Sequence, residues 1–232
     1  AQRIHQGLIG KPVSGQFYYY CGRLGIHSKP GSETARLRNW VFDIALSGDI
    51  IVEQNIHVLD VANWYLQGHP LKARGTGGRK ARVDVGDCWD HFVVTYTYPD
   101  DVLVDFSSGQ FTYGYDDLCM RLYCSEGTVD SHYGGDVSVR GKNESWDGGK
   151  TNTIYESGAI ANIQKFCDSI RNNTPIDNTL ESAHSTMTSI LGRMAAYSGE
   201  EVTWDQMVNA AEKLDPKLNL PVGGPGEAPE RV

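Results

Sequence analysis

The sequence predicts an α+β domain: one open, largely antiparallel or mixed β-sheet with helices gathered on one face. Three observations lead there. Strand-like segments cluster in the middle of the chain, and helix-like segments stand before and after them rather than alternating with them. No G-x-G-x-x-G follows a strand and opens a helix, so the dinucleotide-binding type of α/β layer is not expected. The 232 residues, 40% hydrophobic and 22% charged, suffice for one large domain, assigned to residues 1–220, followed by a Pro/Gly-rich, flexible tail over 221–232.

The elements follow in order. Ala1 to Gly7 reads as the tail of an amphipathic helix, and a helix met without its capped start suggests a chain cut from something longer. Val13 to Cys21, rich in Tyr and Phe with partial alternation, predicts a strand, and Gly22 to Glu33 a loop. Arg36 to Leu46 fits a short helix or an ordered loop, broken by Ser47-Gly48-Asp49. Ile50 to Gln67 predicts one 18-residue helix with Val52, Ile56, Leu59, Asn63 and Leu66 along one stripe, closed by Gly68 and Pro70. Strands are expected in Leu71–Val83 and in His91–Tyr98, the latter turning at Pro99-Asp100-Asp101 into Val102–Gly109. More strands are expected over Leu118–Cys124, Thr128–His132 and Asp136–Arg140, with Gly141–Thr153 as a loop. Gly75-Thr76-Gly77-Gly78 reads as a strand or bulge approached closely by another backbone, not as a phosphate loop. Three helices finish the fold: an amphipathic one over Gly158–Arg171, one capped by Asn178 with Glu181, and one capped by Thr203 with Gln206 that ends near Leu214.

Charge and composition exclude several functions. The net charge is −8 with no Lys/Arg cluster against it, which argues against nucleic acid as a partner. No apolar run reaches the roughly 18–20 residues of a membrane span, and no secretory signal opens the chain. Five scattered cysteines without a C-x-x-C pair read as reduced thiols, hence a reducing, cytoplasmic compartment. Cys119 and Cys124 have the wrong spacing for a zinc knuckle, and His27 and His184 lack a partner set, so no metal is expected. His91 after Asp90 reads as a strand-start histidine bonded to its neighbour.

The helix from Ile50 carries a polar stripe of Glu53, His57, Asp60 and Trp64, at spacings of four, three and four. A carboxylate one turn before an imidazole can hold its tautomer and raise its basicity, which suits a general base near neutral pH. Such a base would take the hydroxyl proton when a secondary alcohol loses hydride. The plainer reading of the same spacing is a surface ion pair beside a buried Trp. Arg36, Arg38, Asn39 and Trp40, just before the helix, could line a sugar site with hydroxyl contacts and a stacking face, or could simply pack at the surface.

The run Glu53-Gln54-Asn55-Ile56-His57-Val58-Leu59-Asp60, continued to Trp64 and closed by Gly68-His69-Pro70, resembles the glucose–fructose oxidoreductase/inositol dehydrogenase/MocA family. Similar to it too are the opening Gly7-Leu8-Ile9-Gly10-Lys11-Pro12, the Gly77-Gly78-Arg79 triplet, and Gly192-Arg193-Met194-Ala195-Ala196-Tyr197-Ser198-Gly199 followed by Val202-Thr203-Trp204-Asp205. The resemblance runs in order over nearly the whole chain. It implies the C-terminal substrate-binding and oligomerisation domain of an NAD(P)-dependent oxidoreductase acting on a sugar, inositol or keto-sugar. By that likeness His57 takes the acid/base role, Glu53 stands where the family has Asp, and Asp60 joins Arg36, Arg38, Asn39 and Trp40 in the substrate site. The resemblance also implies an N-terminal dinucleotide-binding (Rossmann) half of roughly 120–150 residues, with its lysine and its Gly-rich loop, that has no counterpart in this sequence. This chain alone is therefore expected to bind no cofactor, NAD(P) belonging to the full-length parent. Expected partners are a small carbohydrate, further copies of the chain joined through the open sheet, and a separate Rossmann domain. The alternative is a Rossmann-less protein that binds carbohydrate, or a cofactor-free lyase or hydratase of keto-sugars.

Overall fold

A computed structural model describes residues 1–32 and 34–218. The tail expected to be flexible, 221–232, lies outside the described residues. Among the described residues nine strands form one mixed sheet: β1 (Pro12–Cys21), β2 (Lys72–Gly78), β3 (His91–Thr97), β4 (Leu103–Gln110), β5 (Asp117–Cys124), β6 (Gly127–His132), β7 (Asp136–Gly141), β8 (Ser145–Lys150) and β9 (Val202–Thr203). Their spatial order is β8-β7-β6-β5-β1-β4-β3-β2-β9. Every neighbouring pair is antiparallel except β1 and β4, which run parallel with Phe17 opposite Phe106 and Cys21 opposite Gln110. The chain leaves β1 for a helical excursion, returns at the far edge, and meanders through β2 and β3 until β4 lies alongside β1. It then crosses to the other side of β1 and meanders outward from β5 to β8.

Period-two alternation decides which face is core. Phe17, Tyr19, Phe92, Val94, Tyr96, Val104, Phe106 and Leu122 are buried on one face. On the other face Val93 and Leu103 are about half exposed. Full burial of each large core side chain contributes on the order of 1.5–3 kcal/mol.

The helices are α1 (Gln2–His5), α2 (Ala35–Arg38), α3 (Ile44–Ser47), α4 (Ile50–Glu53), α5 (Ile56–Leu66), α6 (Ile154–Arg171), α7 (Thr179–Ser198) and α8 (Trp204–Asn209). The core face of the sheet is covered mainly by α5 and α7. Helix α7 presents Ser185, Thr188, Ser189, Gly192, Ala195 and Ala196 to the interior, small side chains that let it lie close. A Cβ at Gly192 would collide with the Tyr96 hydroxyl of β3. Gly75 meets the backbone of Val93 in the same way, so the glycines of β2 serve close strand packing, as their sequence context predicts.

Several expectations need correction. The single helix over 50–67 is two segments. Asp49 starts α4 from a left-handed conformation (φ 79°), and Gln54 (φ −121°, ψ −51°) interrupts the helical path before α5. The side chain of Gln54 is drawn to the end of β4, a tertiary hydrogen bond that outweighs local helical continuity. The left-handed residue ending α5 is Gln67, not Gly68. The expected loop over 141–153 contains β8, an edge strand exposed along its whole length and therefore without the alternation that marks a half-buried strand. Asn178 precedes α7 but makes no side-chain cap, whereas Thr203 and Gln206 form the full capping box expected of them; α8 stops at Asn209, short of Leu214. Helix α6 buries none of its residues: Ile163, Phe166 and Ile170 are each more than 60% exposed.

Candidate functional site

The candidate site lies where the parallel strands β1 and β4 end and the break between α4 and α5 passes over them. Gln110 Nε2 donates to Gln54 Oε1 (2.8 Å), and the Cys21 thiol approaches the same oxygen at 3.7 Å. These bonds tie the break to the last residues of both strands and set Glu53 and Asn55 on either side of it. Four buried oxygens from these neighbouring segments have no hydrogen-bond partner among the described residues: Glu53 Oε1, Asn55 Oδ1, Ser108 Oγ and Gln110 Oε1. An unmet buried polar atom costs about 1–3 kcal/mol, so a concentration of them marks a place suited to water or to the hydroxyls of a ligand.

Glu53 is half-buried, and burial pushes its carboxyl up to about 7; buried Arg82 counteracts this and Asp49 adds to it. Asp49, wholly buried, accepts from Ile50 N–H (2.6 Å), Trp89 N–H (3.1 Å) and the Tyr197 hydroxyl (2.6 Å), which pins the start of α4. Arg82 lies over the Phe42 ring at 4.7 Å and donates from Nη2 to the Trp89 carbonyl. Burial also raises the Cys21 thiol to about 11, so it stays protonated and is no nucleophile at neutral pH.

His57 opens the first turn of α5 and is exposed. Its ring stacks against Tyr133, just past the end of β6, with centroids 6.3 Å apart and planes 14° apart. Tyr133 in turn meets Tyr155 of α6 edge-on at 5.3 Å. Glu53 and His57 make no hydrogen bond to each other, because the break separates the helical turns that would have aligned them. A titrating carboxyl, an imidazole and two tyrosine rings thus stand around the ends of β1 and β4. This set can exchange protons and offer both stacking faces and hydroxyls to a polyhydroxy ligand.

The remaining predicted residues are placed elsewhere. Arg36 is exposed, ion-paired with Asp43 and donating to the Pro216 carbonyl. Asn39 is buried and its amide is consumed in a loop staple, accepting from His27 N–H and Ser28 N–H while donating to the Ser28 carbonyl. Arg38 and Trp40 are exposed, and no hydrogen bond joins either to Glu53 or His57 among the described residues. Asp60 accepts from the Ser185 hydroxyl at 2.6 Å and, with Trp64, lines a different cleft of about 730 Å³ beside His5, Glu181 and His184. Trp64 is 61% exposed, not buried. His91 bonds its neighbour Asp90 at 2.7 Å, as its position suggests. Sequence reading missed Gln54, Gln110, Tyr133 and Tyr155. The only hint of the first was a polar residue inside a helical pattern; Gln110 and Tyr133 reach the site through strand pairing, and Tyr155 through its contact with Tyr133 from α6.

A nicotinamide dinucleotide does not fit the described residues. Its pyrophosphate needs a glycine turn joining a strand to a helix N-terminus. The glycines of Gly75–Gly78 instead sit inside antiparallel β2, with Gly75 and Gly77 filled against the backbone of β3.

Comparison with known proteins agrees with this architecture. No curated protein matches the chain. Among solved structures, levoglucosan dehydrogenase in complex with NADH and levoglucosan superposes with a TM-score of 0.70 at 14% identity, over 88% of this chain and 62% of that one. An oxidoreductase from Agrobacterium radiobacter in complex with NAD+, L-tartaric acid and magnesium gives 0.67 at 15% identity, over 89% and 60%. Myo-inositol 2-dehydrogenase from Lactobacillus plantarum gives 0.65 at 18% identity, over 87% and 59%. At these identities the likeness is one of fold, and the chain spans about three fifths of the length of each. The sequence model of the GFO/IDH/MocA C-terminal domain matches residues 1–130, more than half of the chain. On that match, and on the mixed nine-stranded sheet that carries it, the chain belongs to the GFO/IDH/MocA C-terminal domain family.

Proposed function

We propose that this chain is the substrate-binding portion of an NAD(P)-dependent oxidoreductase acting on a sugar, inositol or keto-sugar, with its nicotinamide supplied by a separate dinucleotide-binding domain. The observation that carries this reading is the group of unmet buried oxygens at the ends of β1 and β4, flanked by Glu53 and His57. A water or a ligand hydroxyl that reached them would meet their unfilled hydrogen-bonding capacity. His57, exposed and held against Tyr133, is the residue to accept or return the proton of the reacting hydroxyl. Glu53, titrating near 7, sits behind it as a proton reservoir; without a direct bond to His57 it would act through an intervening water or ligand hydroxyl. No step through the nicotinamide follows from these residues, because none of them cradles it. Assembly through the open sheet face remains part of the same proposal.

Saturation-transfer NMR with a panel of inositols, aldoses and keto-sugars tests the reading. Weak, millimolar-range contact with a polyhydroxy ligand is expected, together with its loss in His57→Ala and Tyr133→Ala. Contact that survives both substitutions would place the ligand elsewhere, with the cleft beside Trp64 the first place to look.

A second reading rests on the same pair. A carboxyl titrating near 7 and an imidazole around the same strand ends could together serve cofactor-free elimination or hydration at a keto-sugar. Turnover of a 3-keto-glycoside by the chain without nicotinamide, abolished in His57→Ala, would favour it over the first.

A further inference from the structure

The face of the sheet turned away from the helices carries a second group of reactive side chains, on the opposite face from the Glu53 and His57 of the proposal above. Cys119 and Arg121 on β5 point to the same side as Asp130 and His132 on β6, because Cys119 pairs with His132 and Arg121 with Asp130 across the strands. The ligand atoms of Cys119, Asp130 and His132 all lie within 4.8 Å of one another. We propose that these three residues form a zinc-binding site on the open face of the sheet, with a fourth coordination position not filled by this chain.

Distances are the first argument. Cys119 Sγ stands 3.6 Å from Asp130 Oδ1, and His132 Nε2 stands 3.3 Å from the same oxygen. Zinc bonds of about 2.3 Å to sulfur and about 2.0–2.2 Å to nitrogen and oxygen, at tetrahedral angles, separate S from O by about 3.5 Å and N from O by about 3.4 Å. The side chains already hold these two edges; the sulfur–nitrogen edge, within 4.8 Å, must close to about 3.6 Å for a tetrahedral metal to enter.

The imidazole supplies the second argument. His132 Nδ1 lies 2.7 Å from Asp117 Oδ1 while Nε2 faces Asp130. A neutral imidazole donates from one nitrogen only, so it can serve one of the two carboxylates; Arg121 is the cation already bonded to Asp130. With Nδ1–H given to Asp117, Nε2 is left as a lone pair aimed at Asp130 and Cys119. A carboxylate fixing the tautomer of a ligating histidine from behind is the usual support of a zinc site. The donor types fit as well: one thiolate, one imidazole and one carboxylate suit zinc better than calcium or magnesium, which take all-oxygen shells.

Two features tune the site. Zinc must displace the Cys119 thiol proton to solvent, so affinity rises with pH. Arg121 Nε donates to Asp130 Oδ1 at 3.0 Å and competes as a cation for the same carboxylate. The ion pair and the metal are alternatives at that oxygen unless Arg121 shifts to the other one.

The test uses the full chain, stripped with a chelator and titrated with zinc by calorimetry and with cobalt by optical absorption. Stoichiometric zinc binding at micromolar affinity or tighter is expected, with proton release and a thiolate-to-cobalt charge-transfer band. Cys119→Ser should abolish the band, and His132→Ala should weaken zinc by about tenfold or more, while Cys124→Ser, a thiol on the same strand outside the group, changes neither. Asp117→Asn should weaken binding less than His132→Ala, and Arg121→Gln should tighten it. Circular dichroism on each variant separates loss of a ligand from loss of the fold. Absence of stoichiometric binding by the folded wild-type chain, or binding undiminished in both Cys119→Ser and His132→Ala, overturns the proposal.

Discussion

At the scale of single residues the account turns on Glu53. Its carboxyl, raised by burial from an ordinary 4.5 to about 7, keeps a proton in the folded state that the unfolded chain has already lost between those values. Stability therefore falls as pH rises through that window, and above it the folded state bears the full cost of a buried charge. Replacing Glu53 by Gln should flatten this part of the profile and stabilise the chain at pH 8 relative to wild type. With solvent screening of a half-buried group, the gain is on the order of 1–2 kcal/mol. Urea midpoints of both proteins at pH 5 and pH 8 check it: equal slopes for the two would show that Glu53 titrates normally. Glu53 and His57 could be singled out as candidates because they lie close in sequence. Asn39 misled for a physical reason, since a buried amide in a loop is as well used by its own backbone as by a sugar.

At the scale of elements, local signals were readable wherever local forces decide. The box formed by Thr203 and Gln206 is present in full, while Asn178, which has the same sequence signature with Glu181, makes no cap. Thr203→Ala should accordingly cost about 1 kcal/mol of stability and Asn178→Ala close to nothing, measured by denaturant unfolding. Equal costs for the two would mean that the α7 cap forms in solution. The break between α4 and α5 was not legible, because it is held by Gln54 reaching Gln110, a partner 56 residues away. Strand β8 escaped for the opposite reason: it buries nothing, so no hydrophobic period marks it. Cys119, Asp130 and His132 meet only through the register of β5 on β6, which no scan along the chain reveals.

At the scale of the whole molecule, the grouping of strands and helices was enough to give an open mixed sheet with helices on one face, and the ordered motifs were enough to give the family. The parallel pairing of β1 with β4 was not readable, since it depends on where a meander of three strands ends, and that pairing builds the candidate site. The fold lacks a dinucleotide cradle among its described residues, yet it matches a part of proteins solved with NADH or NAD+. The proposal is that this chain holds the substrate and leaves the cofactor to another domain. Isothermal titration of the purified chain with NADH, alone and with each sugar of the panel, tests it most directly. The account predicts no heat of nicotinamide binding under either condition, and weak sugar binding that His57→Ala removes. Saturable NADH binding by the chain alone would contradict it, and would mean that the sheet carries a cofactor site of its own.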